Sequence, residues 1–298
     1  MNKIAVGVDI GGTKTRVCLV DEYEGITAET LFDTNPQLGG KKLLSKIEDN
    51  IKEMIKKSSN KICGIGIGAT GQIDKTGKVV SSTKTFKEWT GLNIKKELED
   101  VLKIEVKVIN DVQAMALGEF HFGGWEKIND SVCIALGTGV GGAIISNGKL
   151  ITGSSGAAGE IGHMILYPKG KPCPCGNCGC IEAYLSGTAI EKEYYSKTGN
   201  RAKGSNIFCD NEDVNREIVE KYLFDLEQAL ISITNIFNPN LIIIGGGVAE
   251  SVDKYLKQVE KGVKEKVLRV NQNVEVKASQ LKGDAMVLGA SSQFFRNK

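Results

Sequence analysis

Between Gly159 and Glu182 the chain gathers two acids, one histidine and four thiols: Glu160, His163, Cys173, Cys175, Cys178, Cys180 and Glu182. Zinc favours thiolate and imidazole ligands in a closed tetrahedron, and the glycines between these cysteines let the chain wrap tightly around one ion. The segment therefore predicts a zinc site. A disulfide framework is the rival use of four cysteines, but the sequence opens Met1-Asn2-Lys3-Ile4-Ala5-Val6 with no secretory signal pattern, so a reducing, cytoplasmic setting is expected. Buried free thiols are the other alternative. Spacing leaves the ligand set open between the four sulfurs and His163 with three of them.

A second kind of chemistry is written in the glycine turns. Asp9-Ile10-Gly11-Gly12-Thr13-Lys14 joins two apolar runs of strand length, Lys3 to Val8 and Thr15 to Val20. Paired glycines leave main-chain N–H groups uncovered, so such a turn can approach a phosphate, while Thr13 and Lys14 add a hydroxyl and a cation. The spacing is not that of a P-loop, and the following run is a strand, which argues against a dinucleotide fingerprint. Gly137-Thr138-Gly139-Val140-Gly141-Gly142 repeats the layout between the runs Ser131 to Leu136 and Ala143 to Ser146. Two such hairpins predict a duplicated α/β fold whose phosphate loops face each other across a cleft.

Other candidates sit where predicted strands end. The strand Ile62 to Ala69 leads into Thr70-Gly71-Gln72-Ile73-Asp74, and Gly71, Gln72 and Thr83 of this polar loop are candidates to meet sugar hydroxyls. Asn110-Asp111 closes the strand Glu105 to Ile109 before a helix, Val112 to Phe120; an acid there is a helix cap or a catalytic base. Gly245-Gly246-Gly247 follows the apolar strand Leu241 to Ile244 and could lie flat on a nucleotide.

The elements that must position these residues follow from periodicity. Leu43, Leu44, Ile47, Ile51, Met54 and Ile55 mark one face of a helix over Lys41 to Lys57, and a long helix spans Asp213 to Phe237. Helices are also expected at Val252 to Val267 and Ala285 to Phe295, with a strand at Val274 to Ala278. At 298 residues two domains are the default: residues 1–115, joined by the closing helix 285–298, and residues 116–284 with the zinc segment. A net charge of +2 from interspersed charges gives no footprint for nucleic acid. No apolar run approaches the ~20 residues of a membrane helix.

Taken in order, these motifs resemble the ROK family of sugar kinases and repressors, in the actin/hexokinase-like (ribonuclease H-like) fold, over essentially the whole chain. Asp9 to Lys14 resembles the family's first phosphate loop and Gly137 to Gly142 its second; Gly246 and Gly247 resemble the adenosine-side loop. The resemblance implies ATP with Mg²⁺ at Asp9, Gly11, Gly12, Thr13, Lys14, Thr138, Gly139, Gly246 and Gly247. It implies that Asp111 is the base that takes the proton from the sugar hydroxyl, and that Asn110, Glu160, His163 and Glu182 contact the sugar. It also implies structural Zn²⁺ on His163, Cys173, Cys175 and Cys180, with Cys178 spare. Family repressors carry a helix-turn-helix before the first strand, which here begins at Lys3, so a kinase is expected. The stretch Ser82-Thr83-Lys84-Thr85-Phe86-Lys87-Glu88-Trp89 is similar to N-acetylmannosamine kinases, and Gln113 stands where the family usually has asparagine. Glucose and N-acetylmannosamine are thus the leading substrates, ahead of fructose and N-acetylglucosamine, each attacking through its hydroxymethyl oxygen. The resemblance further implies a homo-oligomer, dimer or tetramer.

Overall fold

The computed structural model describes residues 2–82, 86–125, 127–209 and 212–295. The chain runs β1 (Ile4–Ile10), β2 (Lys14–Asp21), β3 (Gly25–Asp33), α1 (Gly40–Lys57), β4 (Ile62–Ala69), the short pair β5 (Gln72–Ile73) and β6 (Val79–Ser81), α2 (Ile94–Leu102), β7 (Val106–Asn110) and α3 (Asp111–Phe122). There follow β8 (Ser131–Leu136), β9 (Val140–Ser146), β10 (Lys149–Leu150), α4 (Glu182–Leu185), α5 (Gly187–Thr198), α6 (Gly204–Cys209) and α7 (Asp213–Phe237). The last elements are β11 (Leu241–Gly245), α8 (Ala249–Val252), α9 (Leu256–Lys266), β12 (Glu275–Ala278) and α10 (Ala285–Ser292).

Two five-stranded sheets share one order, β3-β2-β1-β4-β7 and β10-β9-β8-β11-β12. In each, the central strand pairs antiparallel with the strand after it and parallel with a later one. The duplication expected from the two glycine hairpins is therefore present in the topology. Both hairpins turn through three residues, Gly11–Thr13 and Gly137–Gly139.

Contacts divide the chain into two units. The first holds Met1–Lys127, Leu150–Ala158 and Gln280–Lys298; the second holds Ile128–Lys149 and Gly159–Ser279. A boundary at residue 115 falls inside α3, which lies whole in the first unit, and nothing in the sequence separates 150–158 from its neighbours.

In the first unit the stripe Leu43, Leu44, Ile47, Ile51 and Met54 of α1 is buried with the apolar residues of β1, β2 and β4. On the other side α10 packs against β1, β4 and α3 with almost no side chain between the backbones. A Cβ at Gly66 would overlap the Ala290 carbonyl, and one at Gly289 the Ala114 carbonyl, so glycine is required for this approach. The second unit's core gathers α7 residues Ile218, Leu226, Leu230 and Ile233 with Ile134, Leu136, Ile242 and Ile244.

Some local expectations are revised. The single helix over 252–267 is instead α8, a 3₁₀ turn at Asp253–Tyr255, and α9. The sequence pattern also omits α2 and α5, each opened by a side-chain cap: Asn93 accepts from the Lys96 N–H, and Ser186 from the Ala189 N–H. Among the described residues no helix is long and apolar enough to cross a membrane.

Candidate active site and metal cluster

Parallel pairing brings the ends of β1, β4 and β7 level: Ile10 lies beside Ala69, and Ala69 beside Asn110. Asp9, the Gly11–Thr13 turn, Gly71 and Asp111 therefore share one end of the first sheet, where α/β proteins bind ligands. The turn is braced from beneath. Thr34, which sequence reasoning missed, donates through its hydroxyl to the Gly11 carbonyl at 2.8 Å and through its N–H to the Thr13 carbonyl at 2.9 Å.

The capping role open to Asp111 belongs to its neighbour. Asn110 Oδ1 accepts from the N–H groups of Val112 at 2.8 Å and Gln113 at 3.4 Å, while its Nδ2 donates to the Gly71 carbonyl at 3.0 Å. Asp111 is the first residue of α3, and its Oδ1 accepts from the Val112 N–H at 2.9 Å. The N-cap of α3 is thus Asn110, and Asp111 stands one residue inside the helix. Lys14, expected to offer its charge to phosphate, pairs with Asp33 directly opposite on β3, Nζ to Oδ1 2.6 Å, with both side chains exposed.

Asp9 is the electrostatic anomaly of this end of the sheet. Its Oδ1 is sealed from water and has no hydrogen-bond partner. Burial, and then the nearby Asp111 charge, push its carboxyl up to about 7, against a smaller opposing pull from Arg16. A folded-state value above the unfolded 3.8 means that ionised Asp9 opposes folding as pH rises from 3.8 through 7. At pH 8 the cost is on the order of 2–4 kcal/mol, the lower end because part of the residue meets solvent. Asp9→Asn should therefore raise the melting temperature of the ligand-free protein by about 5–10 °C at pH 8. The gain should shrink to less than half by pH 5. A gain that is flat across this range, measured by thermal scans at each pH, would contradict the assignment.

The loop after β4 is held by Trp89, fully buried, whose Nε1 donates to the Thr70 carbonyl at 3.0 Å and whose ring packs on Phe86. This tryptophan is an anchor of the loop and does not itself offer a sugar contact. Gln72 pairs with Ser81 across β5 and β6; Thr83 lies outside the described residues.

In the second unit the Gly137–Gly139 turn is docked against the start of α5. The Gly187 N–H donates to the Gly137 carbonyl at 2.7 Å, and the Thr188 hydroxyl to the Thr138 carbonyl at 2.9 Å. A helix N-terminus beside a glycine turn is an electropositive pairing suited to phosphate, one that the turn's sequence alone does not announce. Gly246, at φ 88°, lets the β11 loop close over the end of β8, where a Cβ would sit 2.5 Å from the Leu136 carbonyl oxygen.

Glu182 joins this turn to the cysteine segment. Its Oε2 accepts from the Val140 N–H at 3.0 Å, and a Cβ at position 139 would come within 2.5 Å of it, which explains the glycine there. Its Oε1 lies 3.9 Å from Cys173 Sγ. The ligand atoms of His163, Cys173, Cys175 and Cys180 all lie within 4.8 Å of one another. Cys173 Sγ is 3.7 Å from His163 Nδ1, and the sulfurs of Cys175 and Cys180 are 3.6 Å apart. An edge of a tetrahedron with zinc–sulfur arms of about 2.3 Å measures about 3.8 Å, close to these two separations. The Asn177 N–H, then the Cys173 thiol, draw the Cys175 thiol down to about 7, toward the thiolate that a metal requires. Cys178, exposed, is not among the four. Glu160 precedes the 3₁₀ turn Ile161–His163 that carries the histidine.

Two sheets of identical order, each with a glycine turn after its first strand, and an acid at the end of a parallel strand define an actin/hexokinase-like fold of two α/β domains. The chain belongs to the ROK family, whose model matches residues 5–296. It is 34% identical to a glucokinase of Halalkalibacterium halodurans, covering 95% of this chain and 92% of the relative. To a glucokinase of Thermotoga maritima it is 32% identical, covering 96% of each. Among solved structures it resembles a ROK family glucokinase of Streptomyces griseus in complex with glucose and AMPPNP, with a TM-score of 0.82, 28% identity, and 97% and 98% of the two chains covered.

Proposed function

We infer that this chain is an ATP-dependent hexose kinase that phosphorylates the 6-hydroxyl of glucose. The observation that carries the reading is the place of Asp111, an acid directly after β7 at the same sheet end as Asp9 and the Gly11–Thr13 turn. The two glucokinase relatives and the glucose-bound S. griseus structure support glucose as the first choice.

An alcohol is a poor nucleophile near neutral pH because its proton is held too tightly. Asp111 accepts that proton as the oxygen bonds to the γ-phosphorus and ADP departs. The rest of phosphoryl transfer is positioning and charge neutralisation. Main-chain N–H groups at Gly11, Gly12, Thr13, Thr138 and Gly139 would cradle the phosphates, and Gly246 and Gly247 would face the adenosine. The partnerless Oδ1 of Asp9 fits the magnesium that travels with ATP, which offsets phosphate charge when bound. Gly71, Gln72, Thr83, Asn110, Glu160, His163 and Glu182 would bind sugar hydroxyls.

His163, Cys173, Cys175 and Cys180 would hold a structural zinc ion. Four protein ligands leave no open position, so the ion would brace the site and not act as a Lewis acid. With Nδ1 turned to the thiols, His163 keeps Nε2 for a hydroxyl, the arrangement by which supporting contacts orient a binding group. A homo-oligomer, which the family resemblance implies, would show in light scattering as a mass at least twice that of one chain.

A coupled ADP-release assay over glucose, N-acetylmannosamine, fructose and N-acetylglucosamine tests the substrate. The highest kcat/KM is expected for glucose. A higher value for N-acetylmannosamine would move the assignment to that sugar, and sugar binding with no ADP release from any of them would overturn the kinase.

A further inference from the structure

Besides Asp111, α3 carries two polar side chains sunk in the protein: Gln113 is 3% exposed and Glu119 is 0% exposed. Buried polar groups are tolerated only where partners satisfy them, and a carboxylate most of all. The Glu119 carboxylate accepts from Trp125 Nε1 at 3.0 Å and from the main-chain N–H groups of Gln280 at 3.3 Å and Leu281 at 3.0 Å. Gln113 Nε2 donates to the carbonyls of Gly156 at 3.0 Å and Ala158 at 3.4 Å.

The place of these partners along the chain gives the pattern its meaning. The chain passes between the units after Lys127, Lys149, Ala158 and Ser279. Trp125 lies just before the first of these passages, Ala158 at the third, and Gln280 and Leu281 at the fourth. One helix, using two side chains, thus grips three of the four passages. Its neighbours are shaped to permit this: a Cβ at position 123 would stand 2.6 Å from Glu119 Oε2 and 2.8 Å from Trp125 Cδ1, so glycine is needed there. Gly118 and Gly289 bring α3 and α10 backbone to backbone, fixing the helix along its length.

We propose that Gln113 and Glu119 are positioning residues for phosphoryl transfer. Through them the helix that presents Asp111 is fastened to the segments by which the chain leaves and re-enters the first unit. The proposal rests on the reading of Asp111 as the base. The length of Gln113 is then explained by its reach to the Gly156 and Ala158 carbonyls.

Glu119→Gln preserves shape but sets an NH2 group against N–H donors, and Gln113→Met preserves length but removes the donor. Each is expected to lower kcat by about 10–100-fold, since small misplacement of a reacting group costs that much. The KM values for glucose and ATP should stay within about threefold, as for loss of an interaction felt only in the transition state. A role confined to stability would lower the melting temperature and leave the kcat of the folded enzyme unchanged, and that result would overturn the proposal. If Glu119→Gln does not fold, Trp125→Phe removes a single donor to Glu119; a kcat lowered roughly 3–10-fold supports the proposal, and a wild-type kcat overturns it. Asp111→Asn run alongside separates the two claims. If that variant keeps wild-type turnover, the base assignment and the positioning proposal fall together. If it is inactive while the Gln113 and Glu119 variants turn over normally, only the positioning proposal falls.

Discussion

Asp111→Asn is expected to lower kcat by about three orders of magnitude, within the usual range for losing a general base. Glucose affinity, measured by calorimetry without nucleotide, should change by less than about threefold. The substitution is a clean one here because α3 does not depend on residue 111 for its cap. Asn110 satisfies the Val112 and Gln113 N–H groups, and an amide oxygen at position 111 can still accept from Val112. Loss of turnover with retained melting behaviour then reports on proton transfer and not on folding. Near-normal turnover would remove Asp111 from the mechanism.

The second large effect concerns the cysteine cluster. Complete removal of metal by chelation should lower the melting temperature by at least about 10 °C, because a structural ion lends its binding free energy to the fold. It should also raise the glucose KM, since Glu182 links the thiols to the Val140 N–H of the glycine turn. Cys175→Ser should reproduce both effects and bind less than one zinc per chain by elemental analysis. Cys178→Ser should do neither, because its sulfur is not among the four clustered ligand atoms. Unchanged melting after full metal removal, or equal damage from the two serine variants, would contradict the assignment.

Much of the framework can be read without coordinates because it is local. Strand runs bounded by glycine turns mark β1, β2, β8 and β9, and the similarity of the two turns anticipates the matched sheet orders. The histidine–cysteine cluster likewise lies within one segment, although spacing alone leaves its membership open. What escapes the sequence depends on partners far along the chain or on helix phase. Asn110 and Asp111 are both good caps, and only the starting phase of α3 decides between them. Lys14 meets Asp33 because β2 and β3 pair in that register. α3 is apolar on nearly all sides, so Gln113 and Glu119 look like surface residues until the 150–158 segment meets the first, and Trp125 with residues 280–281 the second. The break between α8 and α9 has no glycine or proline to announce it.

The most direct test is a crystal structure of the enzyme with a bound hexose. The account predicts an Asp111 carboxylate oxygen within about 2.6–3.2 Å of the 6-hydroxyl, the reach of a proton acceptor. A hexose bound with that carboxylate out of reach, and both of its oxygens engaged by the main chain of α3, would contradict it.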